Sequence, residues 1–475
     1  MRTWSLDKWL LLGSGLYLLL LSIAISFDFI YLALLPVVAL IIWAAFFKVE
    51  FVFFLIVFFT PLSINLEKLS LGGLGIALPT EPLLAGMMVM FIFKVLSGKS
   101  IDREIYRHPL SIFLYFYLSW ILITTVASEN PLVSFKFLLS RLWFITVMFF
   151  IATQIFRNPD NIKKYFILYI IPLSAVVVYT VFRHSQFGFD KESAHWVMEP
   201  IFKDHTSYGA VLAMYLPASL GLLFIRKISF SWKIILLVLF VVLCVGTVLS
   251  YTRAAWVSLV GALAVLIVLQ TKIRFVPLLM TVLVLGVFVS LNWTNISMAL
   301  EKNEAQSSDK LDEHVSSISN VSSDASNLER LNRWNCALEM FKEKPILGWG
   351  PGTYQFYYAP FQSSSDLTII STKEGDGGNA HSEYLGPLSE QGVFGMLLFV
   401  ILLLMVCYFG FKLHYSKIQF ELKIYATVAF LGLITYFIHG VLNNYLDLDK
   451  ASIPFWGFIA ILVAIDLSAS KKATA

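Results

Sequence analysis

From Lys233 to Gln270 the chain reads KIILLVLFVVLCVGTVLSYTRAAWVSLVGALAVLIVLQ. Two apolar runs, 233–251 and 254–270, are parted only by a short break around Thr252 and Arg253. A helix needs about 20 mostly apolar residues to cross a bilayer, and each run approaches that length. The pair therefore reads as two membrane helices joined by a tight turn carrying one arginine. The same pattern recurs along the chain, giving about fourteen candidate spans: 9–26, 29–47, 50–64, 80–96, 109–127, 135–156, 164–183, 207–225, 233–251, 254–270, 275–292, 391–411, 423–442 and 452–469.

Composition agrees. The chain is 58% hydrophobic and only 14% charged, against roughly 45–50% apolar and about 25% charged for soluble domains. The expected fold class is all-α: a polytopic membrane protein with one long, partly helical loop facing away from the cytoplasm. Arg2 and Lys8 before the first run imitate a signal peptide, but a second run follows at once without a convincing cleavage site, so the first run reads as a span. Cys244 and Cys407 fall in apolar stretches and Cys336 in the polar segment, a spacing that predicts no disulfide and no metal site.

Basic residues set the sidedness, because short cytoplasmic loops are rich in Lys and Arg. Alternate connections carry Lys48; Lys99, Arg103 and Arg107; Arg157 and Lys163; Arg226 and Lys227; Lys272 and Arg274; Lys412 and Lys417. Lys471 and Lys472 close the series, while Lys191 and Lys203 depart from it. Both termini are thus expected in the cytoplasm. The chain divides into N-terminal spans (1–206), core spans with Arg253 at the outer face (207–292), an outer loop (293–390), which the resemblance given below makes periplasmic, and C-terminal spans (391–475). The loop begins Ser-rich, then changes character. From Leu328 to Lys342 the spacing predicts a helix with Leu331, Trp334, Leu338 and Phe341 on one face. A turn at Gly348–Gly352 and an aromatic cluster (Tyr354, Phe356, Tyr357, Tyr358, Phe361) follow.

Several residues could carry chemistry. Arg253 at the outer end of a span needs a partner, and a pyrophosphate suits its planar fork; an interfacial anchor beside Trp256 is the alternative. Arg330 and Arg333 are three apart on the loop helix and either bind an anion or form a solvated face. His381, in Gly377-Gly378-Asn379-Ala380-His381-Ser382-Glu383-Tyr384, can accept a proton near neutral pH or simply cap or anchor the following helix. Arg141, inside a span, touches a lipid phosphate or pairs with a carbonyl. Asp204 and His205 read mainly as a helix cap.

Three pieces in order, Thr252–Trp256, Arg330–Trp334 continuing to Lys344–Gly350, and His381–Leu385 continuing to Glu390–Gly395, resemble the O-antigen ligase and O-antigen polymerase superfamily of bacterial membrane glycosyltransferases. The resemblance covers roughly residues 200–440. It implies a glycan donor on undecaprenyl pyrophosphate, an acceptor hydroxyl on lipid A-core or on a second lipid-linked glycan, and a bacterial inner-membrane location among membrane lipids. It implies no metal, no cofactor and no nucleic acid. Carried over, Arg253 and Arg330 bind the donor, with Arg333 and Arg141 as further candidates, and His381 is the base. Ser382 stands where family members often have Asn. A polysaccharide flippase or transporter is the rival of another class, expected to spread polar residues through many spans.

Overall fold

The computed structural model describes residues 6–26, 48–65, 77–98, 101–271, 277, 280, 325–363 and 378–474. The chain divides into two compact units, Met1–Leu55 and Ile56–Ala475. The first carries α1 (Leu6–Ser26) and the start of α2 (Val49–Phe59). In the second, β1 (Ile64–Asn65) pairs antiparallel with β2 (Ala77–Leu78), and among the described residues every other regular element is helical. The helices are α3 (Thr80–Leu96), α4 (Arg103–Arg107), α5 (Pro109–Val126), α6 (Pro131–Ile145), α7 (Ala152–Ile155), α8 (Pro159–Ser185) and α9 (His205–Leu222). They continue with α10 (Phe230–Leu249), α11 (Arg253–Gln270), α12 (Ala325–Glu343), α13 (Tyr354–Tyr357), α14 (Leu385–Tyr415), α15 (Phe420–His439) and α16 (Asp449–Thr474). A π-helical turn, Thr146–Ile151, joins α6 to α7 into one rod.

Among the described residues eight helices are long and apolar enough to cross a membrane: α5, the α6–α7 rod, α8, α10, α11, α14, α15 and α16. The expected spans 80–96 and 207–225 coincide with helices α3 and α9, which fall outside that set. The expected span 50–64 is helical only as α2 and a 3-10 turn to Leu62. Runs 29–47 and 275–292 and the Ser-rich stretch lie outside the described residues, apart from isolated positions 277 and 280.

Burial explains the arrangement. Helix α16 is buried at every position from Ala451 to Asp466, so it runs through the core. Helix α10 instead leaves Ile234, Val238, Val241, Val245 and Val248 exposed. An apolar face of that extent is one that lipid covers.

Contacts sort the connections into two sets that match the basic-residue pattern. At one end Arg157 binds Asp102 (2.9 Å) and Glu104 (2.7 Å), Lys412 binds Asp466 (2.6 Å), and Lys227 approaches Glu421 (3.7 Å). The other set includes Lys344 with Glu129, the Tyr251 hydroxyl donating to the Phe189 carbonyl (3.1 Å), and the Glu383 N–H donating to the Gly440 carbonyl (2.8 Å). Single-cysteine labelling checks which end is which. A cysteine at Lys417 reacts only after the membrane is permeabilised, and one at Ser319 reacts in intact spheroplasts; the reverse pattern overturns the assignment.

Helix α12 forms where the 3.6-residue spacing puts it, but it buries a different face. The buried positions are Glu329, Asn332, Arg333, Cys336, Ala337 and Met340, while Leu338 is exposed and Leu331, Trp334 and Phe341 are half-buried. Cys336, Ala337 and Met340 pack with Tyr354, Tyr358 and Ala380. The segment after α12 then docks on α14. The N–H groups of Trp349 and Gly350 donate to the carbonyls of Ser389 (3.1 Å) and Glu390 (2.8 Å), and Val393 N–H donates to Pro345 (2.9 Å). The Glu390 carboxylate accepts from Gly352 and Tyr354 N–H, both at 2.9 Å. This docking needs a break in α14 at Gly392, where φ is +70° and any Cβ would strike the Ile346 carbonyl. Two of the sequence motifs thus serve each other: one supplies the break, the other fills it.

Candidate functional site

Helices α9 and α11 begin at the same level. Asp204 caps α9, its carboxylate accepting from Ser207 N–H (2.7 Å) and the Thr206 hydroxyl (2.6 Å). Thr252 precedes α11, and its hydroxyl donates to the His205 carbonyl (2.8 Å). A Cβ on Gly209 would lie 2.7 Å from Thr252, so the two helix starts meet closely. Arg253 is the first residue of α11, where the helix dipole is already positive, so guanidinium and dipole favour an anion together.

Arg330 comes from α12. It and Arg253 both lie near enough for their charges to act on His205, whose ring stacks on His195 at 4.2 Å. Arg330 is half-buried. It also acts on His381, whose pKa is pushed down from 6.5 to about 4, first by burial and then by Arg330 and Arg333. His381 therefore stays neutral at physiological pH, with a lone pair available. Its backbone is in the left-handed region (φ 47°), as is that of Tyr251 (φ 49°), two residues before Arg253. Such conformations cost about 1–3 kcal/mol and cluster at functional sites. Hydrogen bonds hold the strained turn: His381 N–H donates to Asn379 Oδ1 (3.0 Å), and the Trp334 indole to the His381 carbonyl (3.4 Å). His381 does not cap α14. The N-cap is Tyr384, and the Ser382 hydroxyl accepts from Tyr384 and Leu385 N–H at 3.2 and 3.3 Å.

The other two arginines are committed elsewhere. Arg333 is buried, its Nε donating to Glu329 (2.7 Å) and its guanidinium lying 4.0 Å over the Tyr358 ring. Gly378 passes over it so closely that a Cβ would sit 2.7 Å from Nη1. Arg333 thus shapes the turn before His381 and influences its charge. Arg141 is 4% exposed, donating to the Leu446 carbonyl and to Asp447, both at 2.9 Å. Of its two sequence readings, pairing with a carbonyl is the one these contacts favour. Glu383 secures the same turn from the opposite side: its Oε1 accepts from Tyr436 OH (2.5 Å) and the N–H groups of Tyr445 (2.8 Å) and Leu446 (2.9 Å). Burial and Asp447 push its pKa up, against these donors.

One residue carried no signal in the sequence. His439, at the end of α15, lies in reach of the charges of Arg330 and Asp204 and is 1% exposed. It ends a long apolar run, where a lone histidine reads as an interfacial residue. Among the described residues no cluster of three or more His, Cys, Asp or Glu could hold a metal ion.

The apolar helices, with Arg253, Arg330 and a neutral imidazole in the polar region at one end, are those of a multi-pass membrane protein. The family model described as O-antigen ligase matches residues 238–400, the stretch that carries Arg253, Arg330, Arg333 and His381. That match supports the O-antigen ligase superfamily and, with it, a ligase or polymerase type of role for a bacterial membrane protein. No curated protein matches the chain.

Proposed function

We propose that the protein transfers a glycan from undecaprenyl pyrophosphate to a hydroxyl of lipid A-core at the periplasmic face of the inner membrane. The observation that carries this reading is that Arg330 acts on a half-buried, neutral His381, while Arg330 and Arg253, from separate helices, both act on the neighbouring His205. In the reaction the acceptor oxygen bonds to the anomeric carbon as that carbon's bond to the pyrophosphate breaks. His381 takes the hydroxyl proton, and the arginines meet the charge that develops on the departing pyrophosphate.

The donor's polyprenyl chain also has a route. A groove of about 720 Å³ between α9, α10, α11 and α15 is walled by apolar residues including Leu259, Leu263 and Leu266. Leu259 lies about 9 Å below Arg253 along α11, so a chain hanging from a pyrophosphate at Arg253 reaches the groove. A flippase is less well supported, because the candidate polar groups gather at one end of the helices. A polymerase shares the donor chemistry and differs in its acceptor.

Purified protein in liposomes, supplied with lipid-linked glycan and rough lipopolysaccharide, should release undecaprenyl pyrophosphate and move the glycan onto the lipopolysaccharide. Transfer to a second lipid-linked glycan instead makes it a polymerase. Transfer to neither removes the reading.

A further inference from the structure

The polar region where α9 and α11 begin holds a histidine that the proposed chemistry leaves without a task. His205 is the first residue of α9. Its imidazole lies flat against that of His195, with centroids 4.2 Å apart and 12° between the ring planes. His195 ends a 3-10 turn, Ser193–His195, that Asp190 holds in place. The Asp190 carboxylate accepts from Ser193 N–H (2.8 Å) and from the Ser193 hydroxyl (2.7 Å). The His205 carbonyl accepts from the hydroxyl of Thr252 (2.8 Å), the residue just before Arg253. Ring and backbone of His205 are therefore both held next to the start of α11.

Charges reach this ring from several elements: His195 from the turn before α9, Asp204 from the cap of α9, Arg253 from α11 and Arg330 from α12. Burial and then His195 push its pKa from 6.5 to about 4, with the two arginines adding to the fall and Asp204 opposing it. The ring is thus neutral at physiological pH and carries one N–H donor. Arg330 and Asp204 act on His381 as well, so His205 shares the region of the base. Asp204 is occupied by its own cap, accepting from Ser207 N–H and the Thr206 hydroxyl. An incoming anion therefore meets two guanidinium groups, the positive ends of α9 and α11, and one neutral donor.

A pyrophosphate offers several oxygens, and a neutral N–H meets one of them without adding a third cation beside two arginines. We propose that His205 is a further contact to the donor's pyrophosphate, its imidazole N–H donating to a phosphate oxygen while the stack on His195 holds the ring's orientation. The assignment rests on the transferase reading above and extends its donor site to α9.

The test uses full-length protein in liposomes, with lipid-linked glycan as donor and rough lipopolysaccharide or a second lipid-linked glycan as acceptor. His205→Phe keeps the stack on His195 without the N–H, His205→Leu lacks both, and His205→Gln restores an amide N–H. The Phe and Leu variants should raise donor KM about tenfold or more, because a hydrogen bond to a charged group is lost. Their acceptor KM and kcat should stay within a few-fold of the wild type, and Gln should regain most of the donor affinity. Inorganic pyrophosphate, a probe independent of turnover, should raise the melting temperature of the wild type and the Gln variant more than that of Phe or Leu. A wild-type donor KM in the Phe variant would make the ring a packing element and overturn the proposal. So would equal impairment of Gln and Phe, or a loss of kcat at unchanged donor KM, which marks a base. Wild-type transfer to neither acceptor would instead remove the transferase reading, and the pyrophosphate shifts would still decide whether His205 meets the anion.

Discussion

His381→Ala should lower turnover by about 10²–10⁴-fold, the usual contribution of a positioned general base. His381→Gln should be nearly as impaired, since an amide forms hydrogen bonds but cannot take the proton. Donor binding should persist in both, because Arg253 and Arg330 remain. The pH profile adds a second readout. The base works as neutral imidazole, and burial with Arg330 and Arg333 holds its pKa at about 4 in the free protein. The acid limb of kcat/KM should therefore lie near pH 4, well below that of an ordinary histidine. Bound pyrophosphate brings negative charge to the arginines and weakens their push on the imidazole, so the limb of kcat should lie at higher pH. A Gln variant with near-normal turnover would reduce His381 to a packing residue. His205 would then be next in line, since the Oε1 of Glu383 already receives three donors.

Arg253→Ala and Arg330→Ala should each lower transfer by about 10²–10³-fold, the scale seen when one preorganised partner of developing negative charge is removed. Membrane insertion should be unaffected, because neither residue lies among the buried residues of the bundle. Lysine at either position should rescue only in part, since a point charge loses the two-pronged contact with phosphate oxygens. Arg333 offers a contrast. Its Nε is spent on Glu329 and its face on Tyr358, so Arg333→Lys should act mainly through stability and the geometry of the 378–381 turn. Full activity in both Ala variants, measured as glycan transferred in liposomes, would remove the donor assignment.

Much of this protein is written locally in its sequence. Apolar runs such as 233–251 and 254–270 coincide with α10 and α11, because a chain in a bilayer must satisfy its backbone within each span and helices are the local way to do so. Asp204 as a cap and the helix over Leu328–Lys342 were legible for the same reason: both depend on neighbours within a turn or two. Arg253, Arg330 and His381 stood out as polar residues whose chemistry suits an anion and a proton.

The use of each of those residues depended on partners far along the chain. Arg330 and Arg333 are three apart, which leaves them about 60° apart around α12; only the packing of Glu329 and Tyr358 decided which one turned inward. The same packing buried the face of Glu329, Arg333 and Met340 and left Leu331, Trp334 and Phe341 only half-buried, because the aromatic cluster at Tyr354–Tyr358 docks on the other side. Arg141 is tied to Leu446, 305 residues away, and no spacing rule reaches so far. His439 had no local feature to mark it at all. The charges of Arg330 and Asp204 reach it from other helices, and contacts between separate helices are set by the fold as a whole.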